Sequence, residues 1–181
     1  MRKISLMLVL FAASFAVKAQ ENVKNNAIKL NPLSLAFLTG NIQYERAVGE
    51  NTSAQLGVFY SGLNFGNTKY SGLGITPEFR IYFGGAKQAL NGVYAAPFAR
   101  YQSFKIEDKE TANKTSFTTI GGGAIIGWQK MWGSGFVLDI FAGPSYSSAK
   151  FKNNNDDDDF DVQGSFTGFG VRTGLTLGFG F

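Results

Sequence analysis

The stretch FGVRTGLTLGFGF at residues 169–181 decides the fold, because its residues alternate between two kinds of side chain. Its odd-numbered positions are apolar except for Thr173, and its even-numbered positions are glycine except for Arg172 and Thr176. A repeat of two residues is that of a β-strand, whose successive side chains point to opposite faces. The stretch therefore predicts a strand with one bulky apolar face and one small or charged face.

The same alternation recurs along the chain and predicts a sheet of eight strands. Residues 73–84 repeat it clearly, and residues 136–146 repeat it with some exceptions. The strands are predicted, from the last to the first, at 162–181, 134–150, 115–131, 92–106, 70–84, 52–65, 41–48 and 28–38. No domain boundary interrupts this series.

The predicted fold is an eight-stranded antiparallel up-and-down transmembrane β-barrel over residues 28–181. An even number of strands returns both ends of the chain to one side, as bacterial single-chain barrels require. A tight turn is expected at Thr39, Gly40 and Asn41. Four prolines, Pro32, Pro77, Pro97 and Pro144, fall inside predicted strands, so bulges or strand ends are expected beside them.

The first nineteen residues have the pattern of a secretory signal peptide. Arg2 and Lys3 precede an apolar run at 4–17, and Ala19 is the small residue that signal peptidase prefers. The run is shorter than the roughly 20 residues of a spanning helix. We therefore expect cleavage after Ala19, a short lead-in at 20–27, and export to the bacterial outer membrane.

Composition narrows the function classes. Loss of Arg2, Lys3 and Lys18 with the signal peptide reduces the basic residues from 17 to 14, against 13 acidic residues, so nucleic acid is not an expected partner. The chain has no cysteine and no histidine. Histidine is the most frequent general base and a frequent metal ligand, so we expect neither an enzyme nor a cofactor. The mean hydropathy of −0.04 fits a barrel whose apolar outside and polar inside cancel.

If the bulky face meets lipid, six charged residues project into the barrel. They are Glu45, Glu78, Arg80, Arg100, Asp139 and Arg172. The interior of an eight-stranded barrel is only wide enough for side chains, so we expect these groups to form ion pairs and a polar core. A gate or a narrow ion path is the functional alternative.

Two further motifs resemble ligand sites. The run NNNDDDD at 153–159 and the following aspartate supply oxygen ligands of the kind that calcium prefers, but without the spacing of an EF-hand. The weak calcium candidates are Asp156, Asp157, Asp158, Asp159 and Asp161. Three glycines at 121–123 lack the lysine and the helix of a phosphate-binding loop, so a tightly packed strand is predicted there.

Four segments resemble a known family. The segments QYER at 43–46, PEFRIYF at 77–83, VYAAPFARY at 93–101 and FAGPSY at 141–146 are similar to those of uncharacterised small outer-membrane β-barrel proteins that share a domain of unknown function. A looser likeness extends to the transmembrane barrels of the OmpX and OmpA type. The closing GFGF at 178–181 resembles the C-terminal aromatic signal of such barrels, which implies that Phe179 and Phe181 act in assembly.

The function expected from the sequence is that of a monomeric, non-enzymatic outer-membrane barrel with a structural or surface-interaction role. Its expected partners are outer-membrane lipids, lipopolysaccharide and, during insertion, the barrel assembly machinery. The alternatives are a narrow solute channel or transporter, a secreted lipocalin-like binding barrel, and an outer-membrane enzyme that works without histidine.

Overall fold

A computed structural model describes residues 24–36, 39–65, 68–108, 114–153 and 167–181. The predicted signal peptide at 1–19, the first half of the predicted lead-in at 20–27 and the aspartates at 156–159 and 161 lie outside these residues. In the described part of the chain, no helix is long and apolar enough to cross a membrane.

Eight strands form one closed antiparallel barrel in sequence order. The elements are β1 (Asn26–Leu30), α1 (Pro32–Ala36), β2 (Thr39–Ala47), β3 (Thr52–Phe65), β4 (Thr68–Gln88), β5 (Asn91–Asp108), β6 (Lys114–Met131), β7 (Phe136–Asn153) and β8 (Gly168–Gly180). The first and last strands pair and close the barrel, with Ala27 opposite Gly180 and Leu30 opposite Leu177. The predicted all-β, eight-stranded antiparallel barrel is confirmed.

The bounds of the strands agree best in the middle of the chain. The predicted bounds of β3 to β7 differ from the observed ones by at most four residues. On β4, Thr76, Glu78 and Arg80 are buried, whereas Pro77 and Phe79 are exposed. This alternation, repeated around the barrel, places the charged residues and a cluster of aromatic rings inside and most of the large aliphatic residues outside.

The prediction of one long first strand at 28–38 is wrong. β1 ends at Leu30, and α1 follows it. The Oδ1 atom of Asn31 accepts the backbone N–H of Leu33 at 3.0 Å and that of Ser34 at 3.2 Å, which caps the helix. Pro32 is the first residue of α1, where its missing N–H has no cost. The tight turn predicted at Thr39–Asn41 is also wrong, because these residues begin β2.

The other three prolines lie inside strands. The pairing of β4 with β5 has gaps beside Pro77 and Pro97, and that of β6 with β7 has a gap beside Pro144, while the register is kept across each gap. The irregularities expected beside these prolines are therefore interruptions in the pairing of the strands. In the β4–β5 pair the register shifts elsewhere, between Phe83 and Gln88.

The two ends of the barrel differ. We call the end with the connections at 48–51, 89–90 and 132–135 the turn end, and the end with α1 and the other connections the loop end. At the turn end, Leu90 has a φ of 69° and is buried, and its carbonyl accepts a hydrogen bond from Nε2 of Gln129 at 3.1 Å. Leu90 and Gln129 thus fill the interior of the barrel near the turn end.

A glycine permits the close approach of β6 and β7. A Cβ on Gly143 would overlap the carbonyl oxygen of Ala124 and would lie 2.7 Å from Cα of Ile125. Both obstacles are backbone atoms, which cannot rotate away. Residue 143 must therefore lack a side chain for the two strands to keep this distance.

We expect Gly143→Ala to lower the free energy of unfolding by about 1–3 kcal/mol, the usual effect of extra volume in a packed interior. A urea titration followed by the fluorescence of Trp128 and Trp132 measures it. Gly133→Ala is the matched control, since a Cβ on Gly133 meets nothing within 4 Å. Equal stability of the Gly143→Ala barrel and the unsubstituted barrel would contradict the close approach.

Candidate functional site

The inner face of the barrel carries a connected set of charged side chains, which we call the interior ion network. Its members come from β1, β2, β4, β7 and β8 and are buried. They are Lys29, Glu45, Glu78, Arg80, Asp139 and Arg172. The structure brings five of the six predicted charges together in this network, and the sixth, Arg100, forms no ion pair with its members among the described residues.

Glu45 has four hydrogen-bond partners in the interior. Its Oε2 accepts a hydrogen bond from Nζ of Lys29 at 2.5 Å and one from Nη1 of Arg80 at 3.4 Å. Its Oε1 accepts from the hydroxyls of Ser53 at 2.5 Å and Tyr82 at 2.6 Å. Both oxygens are satisfied without water, as a buried carboxylate requires.

Asp139 is held by the same two cations. Its Oδ2 accepts from Nζ of Lys29 at 3.0 Å and from Nη1 of Arg80 at 2.9 Å, and its Oδ1 accepts from the hydroxyl of Tyr94 at 2.8 Å. The guanidinium of Arg80 also lies 4.3 Å from the centroid of the Tyr94 ring, a cation–π distance. The ring of Tyr94 thus contacts Arg80 and its hydroxyl binds Asp139, so one tyrosine stabilises both members of this ion pair.

Glu78 links this group to the loop end. Its Oε2 accepts from Nη2 of Arg80 at 2.9 Å, and its Oε1 accepts from Nη2 of Arg172 at 2.5 Å. The guanidinium of Arg172 lies 4.4 Å from the centroid of the Phe98 ring and 4.8 Å from that of the Phe141 ring. The network therefore ends in an arginine between two aromatic rings.

The network is electrically balanced. Three cations face three carboxylates, and the side-chain oxygen of Gln129 accepts from both Lys29 and Arg80, at 2.6 and 3.1 Å. A buried charge without a partner costs several kcal/mol, so this balance is a condition for packing the interior with charged groups. Chemically, the network can hold the barrel closed and exclude water.

Sequence reasoning missed Lys29. The residue lies on β1 opposite Gln43 of β2, and it is fully buried. The signal was present, because Ala27 and Lys29 alternate with the apolar Ile28 and Leu30. The wrong extent assigned to the first strand hid this short alternation.

Arg100 faces inward but is not a member of the interior ion network. Its guanidinium lies 5.7 Å from the centroid of the Phe98 ring. Among the described side chains it forms no ion pair. Arg100 instead lines a cavity of about 300 Å³, which we call the entry cavity, at the loop end of the interior.

Most of the residues that line the entry cavity are polar or charged. Its lining includes Gln43, Thr76, Arg100, Gln102, Phe104 and Arg172. A second cavity of about 430 Å³ adjoins it and shares Gln102 and Phe104 with it. The interior is thus packed with ion pairs toward the turn end and open toward the loop end.

The remaining predicted residues lie elsewhere. Phe179 and Phe181 lie at the turn end of β8 with exposed side chains, and the backbone N–H of Phe181 donates to the carbonyl of Asn26 at 2.9 Å. The glycines at 121–123 are part of β6. Within the ranges that the structure describes, no cluster of three or more potential metal ligands occurs.

A family model described as a protein of unknown function, DUF3575, matches residues 5–162. No curated protein and no solved structure matches the chain.

We expect Glu45→Gln to lower the free energy of unfolding by about 3–5 kcal/mol, because it leaves buried cations without full compensation. Urea titration measures the loss. Glu50→Gln makes the same chemical change at an exposed position and should leave the stability unchanged.

The double variant Glu45→Gln/Lys29→Met restores a balanced network with two cations and two carboxylates. It should recover part of the stability lost in Glu45→Gln, which a double-mutant cycle quantifies. A strictly additive cycle would contradict the coupling of Lys29 and Glu45.

Proposed function

The chain belongs to the DUF3575 family, whose function is unknown, and we propose that it is an integral outer-membrane β-barrel without enzymatic activity. Its role in this proposal is structural, or that of a surface for interactions at the loop end. The observation that carries the proposal is a closed barrel with an apolar outside and neutralised charges inside.

The outer face supports a lipid environment. Large apolar side chains are exposed on all eight strands, including Ile42, Val58, Leu73, Ile126 and Ile140. Water-soluble monomers rarely expose apolar patches of more than a few hundred Å². In lipid, the same surface is solvated by hydrocarbon, and the closed sheet leaves no backbone group unpaired at an edge.

Aromatic side chains on the outer face support the same environment. Tyr60, Tyr101 and Tyr146 lie in the half of the barrel nearer the loop end, and Trp128 and Phe136 lie nearer the turn end. Two aromatic belts on either side of an aliphatic band are typical of barrels at the two membrane interfaces.

A secreted lipocalin-like barrel is the less favoured alternative. Such a barrel keeps its apolar residues inside to bind an apolar ligand and presents a polar outside to water. Here the buried interior contains Lys29, Arg80 and Glu45, and the exposed face is apolar. The polarity is thus the opposite of that expected for a soluble barrel.

The steps of export follow from this proposal. The segment at 1–19 acts as a signal peptide cleaved after Ala19, and the barrel assembly machinery inserts the chain as a monomer among lipids and lipopolysaccharide. Phe179 and Phe181 are partly exposed at the turn end, and in this proposal they form the signal that the machinery recognises.

We expect a cysteine at position 126, but not at position 125, to react with a lipid-soluble thiol reagent in outer-membrane fractions. Ile126 is 68 % exposed and Ile125 is 1 % exposed, so the pair of Ile→Cys variants compares neighbouring residues of the same type on opposite faces. The chain has no native cysteine that would react in their place.

A charged, water-soluble thiol reagent serves as the control in the same fractions. It should leave Ile126→Cys unmodified until the membrane is dissolved and the protein is unfolded. Recovery of the protein in the soluble periplasmic fraction, with Ile126→Cys reacting freely with the water-soluble reagent, would overturn the membrane location.

The narrow channel or transporter is the second alternative, favoured only by the opening of the entry cavity at the loop end. We expect no discrete, reproducible conductance from the purified protein in planar bilayers, because the interior ion network and Leu90 fill the path to the turn end. Detergent without protein gives the baseline. Single-channel steps whose size changes in Asp139→Asn would establish the channel instead.

A further inference from the structure

Within the part of the chain that the structure describes, the entry cavity carries a positive charge without a carboxylate partner. Glu78 is the carboxylate nearest to it in the network, and both oxygens of Glu78 are already bonded to Arg80 or Arg172. Arg100 has no carboxylate partner among the residues that the structure describes. The guanidinium of Arg100 therefore lines the cavity as a cation available to an anion.

Arg100 of β5 and Arg172 of β8 lie at the same cavity, although the two strands are not neighbours in the barrel. Their guanidinium carbons lie 5.7 and 4.4 Å from the centroid of the same Phe98 ring, and both residues line the entry cavity. Two guanidinium groups close together repel each other unless an anion lies between them. Guanidinium groups bind the oxygens of phosphates and carboxylates with particular strength, because two N–H groups can donate in parallel.

Two buried polar atoms of the cavity lining also lack partners. They are Nη1 of Arg172, a donor, and Oε1 of Gln43, an acceptor, and neither has a hydrogen-bond partner in the described part of the chain. Most buried polar groups in proteins are hydrogen-bonded, so such exceptions require an explanation. A ligand that offers both an oxyanion and a hydroxyl would satisfy the two atoms.

We propose that the entry cavity binds a phosphate group, between Arg100 and Arg172. A hydrogen phosphate or a phosphate monoester near neutral pH has several acceptor oxygens for the two guanidinium groups. In its protonated form it also has a hydroxyl that can donate to Gln43. A carboxylate supplies only the acceptor oxygens.

Aromatic rings beside the cavity offer a surface for an organic group attached to the phosphate. The ring of Phe104 lies 5.9 Å from that of Phe59 and stacks on that of Phe117 at 4.8 Å, measured between centroids. Gly72 leaves the space for this row, because a Cβ there would lie 2.7 Å from the Phe104 ring. Phe104 and Phe117 also line the second cavity, so an apolar group could extend into it.

The test uses the purified full barrel in a sugar-based detergent, in a buffer that contains neither phosphate nor sulfate. Inorganic phosphate and phenyl phosphate are titrated against chloride at matched ionic strength, and the midpoint of thermal unfolding is recorded. We expect a saturable rise with both phosphates, with phenyl phosphate saturating at the lower concentration because of its ring, and no comparable rise with chloride.

Arg100→Gln should raise the phosphate concentration needed for half-saturation at least tenfold. Lys105→Gln, which removes the same charge from an exposed position on the same strand, should leave it unchanged. Without phosphate, Arg100→Gln should not lower the unfolding midpoint, since it removes a cation that has no carboxylate partner. A purely structural role of Arg100 would lower that midpoint.

A further comparison distinguishes a lipid headgroup from a dissolved phosphate as the source of the phosphate group. Detergent micelles that contain phosphatidic acid are compared with micelles that contain diacylglycerol. A response to phosphatidic acid without one to the soluble phosphates assigns the site to a lipid headgroup, and a response to the soluble phosphates assigns it to a solute. Either result supports phosphate binding.

The proposal is overturned if no phosphate raises the midpoint above the chloride control, or if Arg100→Gln responds like the unsubstituted barrel. Because the assay uses purified protein, this failure would leave the proposed membrane location untouched. That location rests on the outer face of the barrel, which the assay does not probe.

Discussion

Moving a charged side chain out of water costs several kcal/mol unless opposite charges and hydrogen bonds compensate it. The interior ion network of this barrel holds six such side chains, three of each sign. Every carboxylate among them contacts at least one cation, at 2.5 to 3.4 Å. Because its members come from β1, β2, β4, β7 and β8, the network also links five of the eight strands across the lumen.

The face of each charged residue could be predicted from the sequence, because a repeat of two residues assigns side chains to faces without knowledge of their neighbours. The partners could not be predicted. The stagger between strands sets the height of each residue in the barrel, and it brings Glu45 and Asp139 to Lys29 and Arg172 to Glu78. The short β1 was misjudged because Asn31 and Pro32 start a helix by local capping, which strand periodicity does not register.

Small residues on the inner face make this packing possible. A Cβ on Gly127 would lie 2.5 Å from the hydroxyl oxygen of Tyr94, the group that donates to Asp139. The glycines that weaken the sequence signal for an ordinary strand are thus the residues that admit the tyrosine rings and their hydroxyls. The sequence predicts the glycine-rich face, whereas which ring fills each space depends on the register.

The two ends of the interior differ in how completely their charged groups are paired. Toward the turn end, Lys29, Glu45 and Asp139 have full sets of partners, as expected where packing alone determines the residues. Toward the loop end, Arg100 lacks a carboxylate and Arg172 keeps an unpartnered nitrogen within the described residues. Departures from the rules of packing are expected at functional sites. A cation pair beside a cavity therefore marks the loop end, and not the ion network, as the part of the interior that is adapted to something outside the chain.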